Sequence, residues 1–193
     1  MVRFIAQRYS RQGLGSLFLT CAFPLHFWAL LLAFRDISWL TERTNLWDAI
    51  GVVSYGLIFA FVESVMIFLV LVLVGFIIPL RWPSDKRITF LALLFLLISL
   101  WGIIGQLLFL WNLSLPAQAI QLLRSVSHPL RILYAACLVV VIPTILLPIY
   151  LFVRSKRSVA FMQDLMERFS LLTMLYLLFD AVGLVIVIIR NIN

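Results

Sequence analysis

The chain has 193 residues, of which 64% are apolar and only 12% are charged, and it carries a formal net charge of +7. Soluble domains are about half apolar and about one quarter charged, so this composition excludes a water-soluble globular protein and predicts an integral membrane protein. The basic residues fall in short segments between apolar runs, which is typical of membrane topology, so we expect no nucleic-acid partner.

Five apolar runs follow one another along the chain. Each reaches the roughly 20 residues that a helix needs to cross the hydrocarbon core, and only a helix or a closed barrel satisfies backbone groups in lipid. The sequence therefore predicts an all-α bundle of five transmembrane helices, forming a single polytopic domain over residues 1–193, with spans at 13–34, 49–80, 88–111, 132–153 and 169–189. The second run is so long that its helix has to tilt, bend or project from the bilayer.

The distribution of basic residues predicts the orientation. The amino-terminal tail and the second and fourth loops hold ten Lys and Arg residues, whereas the opposite side holds five. Because cytoplasmic segments carry the excess of Lys and Arg, we expect a cytoplasmic amino terminus and an external carboxyl terminus in the plasma (inner) membrane. The two outer loops, 35–48 and 116–131, mix apolar and charged residues, which indicates either short surface helices or packed loops.

Polar side chains interrupt the apolar runs at similar depths. His26, Glu63 and Asp180 lie near the middle of the first, second and fifth spans, and their depths agree to within about 3 Å when the spans are aligned by their midpoints. Tyr176 and Gln106 share helix faces with small or polar neighbours in the fifth and third spans. Ionisable groups at bilayer depth mark a partner, a cavity or an ion path. We therefore predict an intramembrane polar site formed by these five residues.

Two interpretations of this polar site remain open. In the first, the side chains bond to one another and fix the positions of the helices. In the second, they line a proton or cation path in which the carboxylates load and release the ion. A metal site made by His26, Glu63 and Asp180 is a weaker alternative, because no further His or Cys accompanies them. We expect neither a bound metal nor another cofactor.

The fourth span contains two prolines, Pro143 and Pro148. Each removes a backbone donor and clashes with the preceding turn, so we expect the helix to bend and regard the two residues as a candidate hinge. Membrane helices also tolerate proline without any gating role, and that alternative stays open.

No motif in the chain names a reaction. It lacks a GxSxG elbow, an HExxH pair, a phosphate-binding glycine loop and an aspartate-rich diphosphate motif. We therefore predict a non-enzymatic membrane subunit or assembly factor, which works through the lipid bilayer and through a membrane protein partner or self-association. The main alternative is a proton- or cation-coupled carrier or channel that uses the intramembrane carboxylates. A membrane enzyme with unrecognised chemistry is the third possibility.

Overall fold

The structure is a computed structural model that describes residues 8–110 and 116–192, apart from the side chains of Ile37, Leu40, Thr41 and Phe109. Throughout these two ranges the regular structure is helical and contains no strand. Trp111, the last residue of the predicted third span, lies outside the described residues. The helices are α1 (Arg11–Arg35), α2 (Ile37–Arg43), α3 (Leu46–Val74), α4 (Ser84–Leu110), α5 (Ala117–Arg124), α6 (Pro129–Arg154) and α7 (Lys156–Ile192).

Five helices, α1, α3, α4, α6 and α7, are long and apolar enough to cross a membrane. The mean hydropathy of their most apolar segments ranges from 2.0 to 2.9. The predicted fold class is therefore confirmed. The segments 35–48 and 116–131 contain the short helices α2 and α5, and a position of these helices on the membrane surface stays a prediction.

The predicted second span, 49–80, was wrong at both ends. Helix α3 begins three residues earlier, at Leu46, because the Asn45 side chain accepts a hydrogen bond from the backbone N–H of Asp48 and caps the helix. It ends at Val74, because Gly75 and the residues that follow form turns as far as Pro83. The apolar run continued past the end of the helix because residues 75–80 are apolar but not helical. Hydropathy does not distinguish an apolar helix from an apolar turn.

The predicted fifth span, 169–189, lies within a longer helix. Helix α7 begins at Lys156 and has 37 residues, so at about 1.5 Å per residue it is about 55 Å long. Its first turns are polar, and hydropathy therefore missed them, although Arg168 forms a salt bridge of 3.0 Å with Asp164 one turn earlier. Ser155 alone separates α6 from α7, so the predicted fourth loop is mostly helix.

The chain divides into two compact units. The first unit contains Met1–Leu96 and Val159–Asn193, and thus holds α1, α2, α3, the start of α4 and most of α7. The second unit contains Leu97–Ser158, and thus holds the end of α4, the helix α5 and the helix α6.

Helix α1 supplies much of the core of the first unit. Its buried residues are mostly small or apolar, and they include Leu17, Cys21 and Ala22. Aromatic rings of α1 contact the neighbouring helices. Phe18 packs edge-on against two rings of α3. Phe23 stacks on Phe169 of α7, with 4.1 Å between the ring centroids. Helix α1 therefore packs against both α3 and α7.

A buried arginine organises the turn that follows α3. Arg87 is almost fully buried, and it donates hydrogen bonds to the backbone carbonyls of Arg8 at 2.7 Å and Trp82 at 3.0 Å. The Tyr9 hydroxyl donates to the carbonyl of Val72 at 2.9 Å, near the end of α3. Carbonyls at a helix end lack partners within the helix, and Tyr9 satisfies one of them at the end of α3. Arg87 of α4 holds the amino-terminal segment and the turn through their own backbone carbonyls.

In the second unit, α6 runs as one α-helix through both Pro143 and Pro148. Between the prolines, the Thr144 hydroxyl lies 2.8 Å from the carbonyl of Val141 and accepts a hydrogen bond of 3.1 Å from the Trp101 indole N–H of α4. Proline leaves carbonyls of the preceding turn without their usual donor, and hydroxyl groups near such positions commonly compensate. The candidate hinge stays a prediction.

Candidate functional site

His26 is fully buried on α1, and both of its ring nitrogens have partners. Its Nδ1 atom lies 2.8 Å from the backbone carbonyl oxygen of Ala22, one turn earlier in the same helix. Its Nε2 atom lies 2.8 Å from Oδ2 of Asp180 on α7. The imidazole ring therefore links two helices through a contact between residues 154 positions apart in the chain.

The two contacts of the ring fix the number of protons in the pair. A carbonyl oxygen only accepts, so Nδ1 carries a hydrogen and donates it to Ala22. The contact between Nε2 and Oδ2 then needs one further hydrogen, which lies on Nε2 if Asp180 is ionised and on Oδ2 if Asp180 is protonated. The pair holds one shared proton and has no net charge in either form. This neutrality lowers the cost of placing both groups in an apolar helix bundle.

One oxygen atom of Asp180 has no hydrogen-bond donor among the residues that the structure describes. Its carboxylate is nearly buried, and among the described residues the buried Oδ1 atom has no hydrogen-bond partner. A carboxylate accepts through both oxygens, so Oδ1 retains the capacity to bind a donor. If the shared proton left the pair, Nε2 and Oδ2 would face each other as two acceptors at 2.8 Å, which is repulsive.

An aromatic ring of α7, that of Tyr176, stacks on the His26 ring. The ring of Tyr176 lies nearly parallel to the His26 ring, with 6.1 Å between the centroids, and it also stacks on Phe23. One turn before Tyr176, the hydroxyl of Thr173 lies 2.9 Å from the carbonyl oxygen of Leu19 on α1 and 2.8 Å from that of Phe169 in its own helix. Polar contacts thus join α1 and α7 at two successive levels.

Glu63 does not join the His26–Asp180 pair. No hydrogen bond or ion pair connects its carboxylate to any of the described residues, and its side chain is half-buried. It lies instead in a groove of about 450 Å³ that is lined by α1, α2 and α3. The shared depth that the sequence predicted for the three residues therefore brings only His26 and Asp180 into contact.

Gln106, the fifth predicted site residue, belongs to the part of α4 that lies in the second unit, and its side chain is exposed there. Across residues 8–110 and 116–192, no group of three His, Cys, Asp or Glu side chains is placed to hold a metal ion. Within the first unit, the structure thus joins His26, Asp180 and Tyr176 and leaves Glu63 apart from them.

One polar connection escaped the sequence analysis. At the far end of α7, the Arg190 guanidinium donates to the backbone carbonyl of Trp47 at 2.6 Å and to Oδ1 of Asp48 at 2.8 Å, both at the start of α3. The predicted topology contained a signal for this contact, because the end of the fifth span and the start of the second lie on the same side of the membrane. Arg190 therefore acts as a helix-to-helix contact as well as a terminal charge.

Comparisons of the chain with protein families, with curated proteins and with solved structures found no match. What the molecule does has to be inferred from its own helices and from the polar contacts between them.

Proposed function

We propose that the protein is a non-enzymatic membrane subunit or assembly factor, whose buried polar residues hold its helices together while its outer surface contacts partners in the membrane. The observation that carries this proposal is the His26–Asp180 contact. Both ring nitrogens are partnered, the ring is fully buried, and the pair carries no net charge. A buried histidine whose two ring nitrogens both bond to neighbouring groups, one of them on another helix, is suited to fixing helix positions.

The other polar contacts of the first unit support the same role. Thr173 bonds to a backbone carbonyl of α1, and Arg190 bonds to the start of α3. Gly183 of α7 faces Ser54 of α3 so closely that an added Cβ would lie 3.5 Å from the Ser54 backbone. Small residues at such crossings allow membrane helices to pack tightly, with polar groups bonding across them. These contacts all hold one helix against another.

The outer surface supports the part of the proposal that concerns partners. Along α6, large apolar side chains are widely exposed, for example Val139 at 72%, Leu146 at 58% and Leu147 at 61%. Such a surface requires lipid or another protein against it. We place the protein in the plasma membrane, with its amino terminus in the cytoplasm, on the basis of its basic residues.

The test uses the double variant Glu63→Gln and Asp180→Asn, which keeps side-chain shape but removes both titratable carboxylates. We expect it to restore whatever growth or assembly phenotype follows deletion of the gene, and to co-purify in a mild detergent with the same stoichiometric partner as the wild type. A folded double variant that fails to restore the phenotype would contradict the proposal.

The second candidate function is a proton- or cation-coupled carrier. Two observations favour it: the His26–Asp180 pair shares a single proton, and Oδ1 of Asp180 has an open acceptor position. In that case the purified wild-type protein moves protons across liposomes under an imposed potential, and Asp180→Asn abolishes this flux. Absence of flux from the wild-type protein excludes the carrier and leaves the structural role.

A further inference from the structure

A groove in the first unit contains a carboxylate, Glu63, that the proposed function leaves without a role. Its walls are almost entirely apolar or aromatic, and they include Trp28 and Ala29 of α1, Trp39 of α2, and Phe59 and Ala60 of α3. A second, smaller pocket that also contains Glu63 extends it towards Met66. A volume of about 450 Å³ is in the range of sites for small organic molecules, which are mostly apolar with a few polar groups.

Glu63 is the unpaired charge in this groove. Asp36, the other acidic residue of the lining, is held by the Arg35 guanidinium, whose Nε lies 2.7 Å from its Oδ1. Glu63 has no such partner among the described residues, and it lies about 26 Å along α3 from the start of that helix. A carboxylate at this depth is costly unless a cation or a proton balances it.

We propose that this groove binds a hydrophobic organic cation, with Glu63 balancing its charge and the aromatic walls contacting its apolar groups. Aromatic rings and a carboxylate around one cavity are the chemistry that recognises organic cations. A second copy of the chain offers no equivalent charge, since the five predicted spans contain no Lys or Arg. This site is independent of the proposed structural role, because the groove contains neither His26 nor Asp180.

A substitution at Gly56 can block the groove. Gly56 lines it, and a Cβ added at Gly56 meets no atom within 4 Å, so a leucine there enters the groove without displacing the protein. Gly15 on α1 is equally open but lies outside the lining, which makes Gly15→Leu the matched control. Both changes replace a helical glycine, so their effects on helix propensity are comparable.

The experiment measures binding of tetraphenylphosphonium to the protein in lipid nanodiscs by equilibrium dialysis, with empty nanodiscs subtracted. Tetraphenylborate has the same size and shape but the opposite charge, and it serves as the charge control. We expect saturable binding of one tetraphenylphosphonium per chain and no saturable binding of tetraphenylborate. Glu63→Gln should lower the affinity for tetraphenylphosphonium at least about tenfold. The reason is that a carboxylate a few ångströms from a cation attracts it strongly in a poorly solvated groove.

Gly56→Leu should abolish binding, and Gly15→Leu should bind as the wild type does. Equal binding of the two ions, or unchanged binding in Glu63→Gln or Gly56→Leu, would overturn the proposal. Absence of saturable binding would also overturn it, and would leave a proton or a basic side chain of a partner protein as the group that balances Glu63. Normal thermal stability of each variant is the condition for comparing them, and the proposed structural role stands in either case.

Discussion

Nε2 of His26 lies 2.8 Å from Oδ2 of Asp180, and this contact joins α1 to α7 near the middle of both the first and the fifth predicted spans. Since Nδ1 already donates to Ala22, the atom that Asp180 must satisfy is Nε2 alone. The side chain at position 180 therefore decides whether Nε2 of His26 keeps a hydrogen-bond partner inside the bundle.

Replacing Asp180 by leucine should destabilise the protein by about 1–3 kcal/mol, because a neutral His26 then buries Nε2 without a donor. Asp180→Asn should lose much less stability, since the amide N–H of the asparagine can donate a hydrogen bond to Nε2 of His26. Thermal unfolding in detergent measures both. Asp164→Leu is the matched control, because Asp164 is exposed and pairs only with Arg168, and such surface pairs contribute at most about 0.5 kcal/mol. If the leucine and asparagine variants were equally stable, the contact would contribute nothing.

A second prediction concerns the crossing of α3 and α7. An added Cβ at Gly183 would meet Ser54 at 3.5 Å, which is an ordinary contact distance, so Gly183→Ala should leave the stability close to that of the wild type. Gly183→Leu should lower the melting temperature, because its larger side chain has to separate the two helices. Gly15→Leu, where the added side chain meets open space, should not. A stable Gly183→Leu variant would show that α3 and α7 are not tightly packed.

The five spans could be predicted from the sequence because composition alone distinguishes a helix in lipid from a loop in water. The helix ends could not, because hydropathy reports polarity and not hydrogen bonding. Residues 75–80 are apolar but form turns, whereas the polar residues from Lys156 onwards continue α7 for several turns. The cap at Asn45 was the local signal that marks the true start of α3.

The sequence supplied the depth of each polar residue and the helix face that it shares with its neighbours, but not which other helix that face meets. His26 and Asp180 do meet, but Glu63 shares their depth and points elsewhere. Successive residues of a helix differ in direction by about 100°. Ser64 is accordingly fully buried, while Glu63 beside it is half-buried and lines the groove. The direction in which α3 presents each residue depends on its packing against α1, which periodicity in an almost uniformly apolar helix does not reveal.

A third prediction follows from Tyr9, which precedes the first membrane helix. Burial raises the pKa of its phenol, and the neighbouring Arg87 and Arg8 offset part of that rise. A group whose pKa is raised on folding stabilises the protein below its unfolded pKa, about 10 for tyrosine, and loses this contribution as the pH rises through the folded value. Tyr9→Phe, which removes the hydrogen bond to Val72, should cost about 1 kcal/mol at pH 8.

The difference in stability between wild type and Tyr9→Phe should then shrink as the pH is raised from about 9 to about 11. Thermal unfolding across this range measures it. Tyr134→Phe serves as the control, because the Tyr134 side chain is 70% exposed, and its removal should leave the profile unchanged. A difference between wild type and Tyr9→Phe that is constant over the whole range would mean that folding does not raise the pKa of the Tyr9 phenol.

The last prediction concerns the orientation of the five membrane helices. Ten basic residues lie in the amino-terminal tail and the second and fourth loops of the predicted topology, against five on the other side, and cytoplasmic segments retain such an excess. Reporter proteins fused after Lys86, Lys156 and Asn193 should therefore report the cytoplasm, the cytoplasm and the exterior. Five crossings require the termini to lie on opposite sides, so a cytoplasmic reporter after Asn193 together with one at the amino terminus would mean that one helix does not cross. Helix α6 is the one to examine in that event, because only 6% of its most apolar segment is buried within the protein.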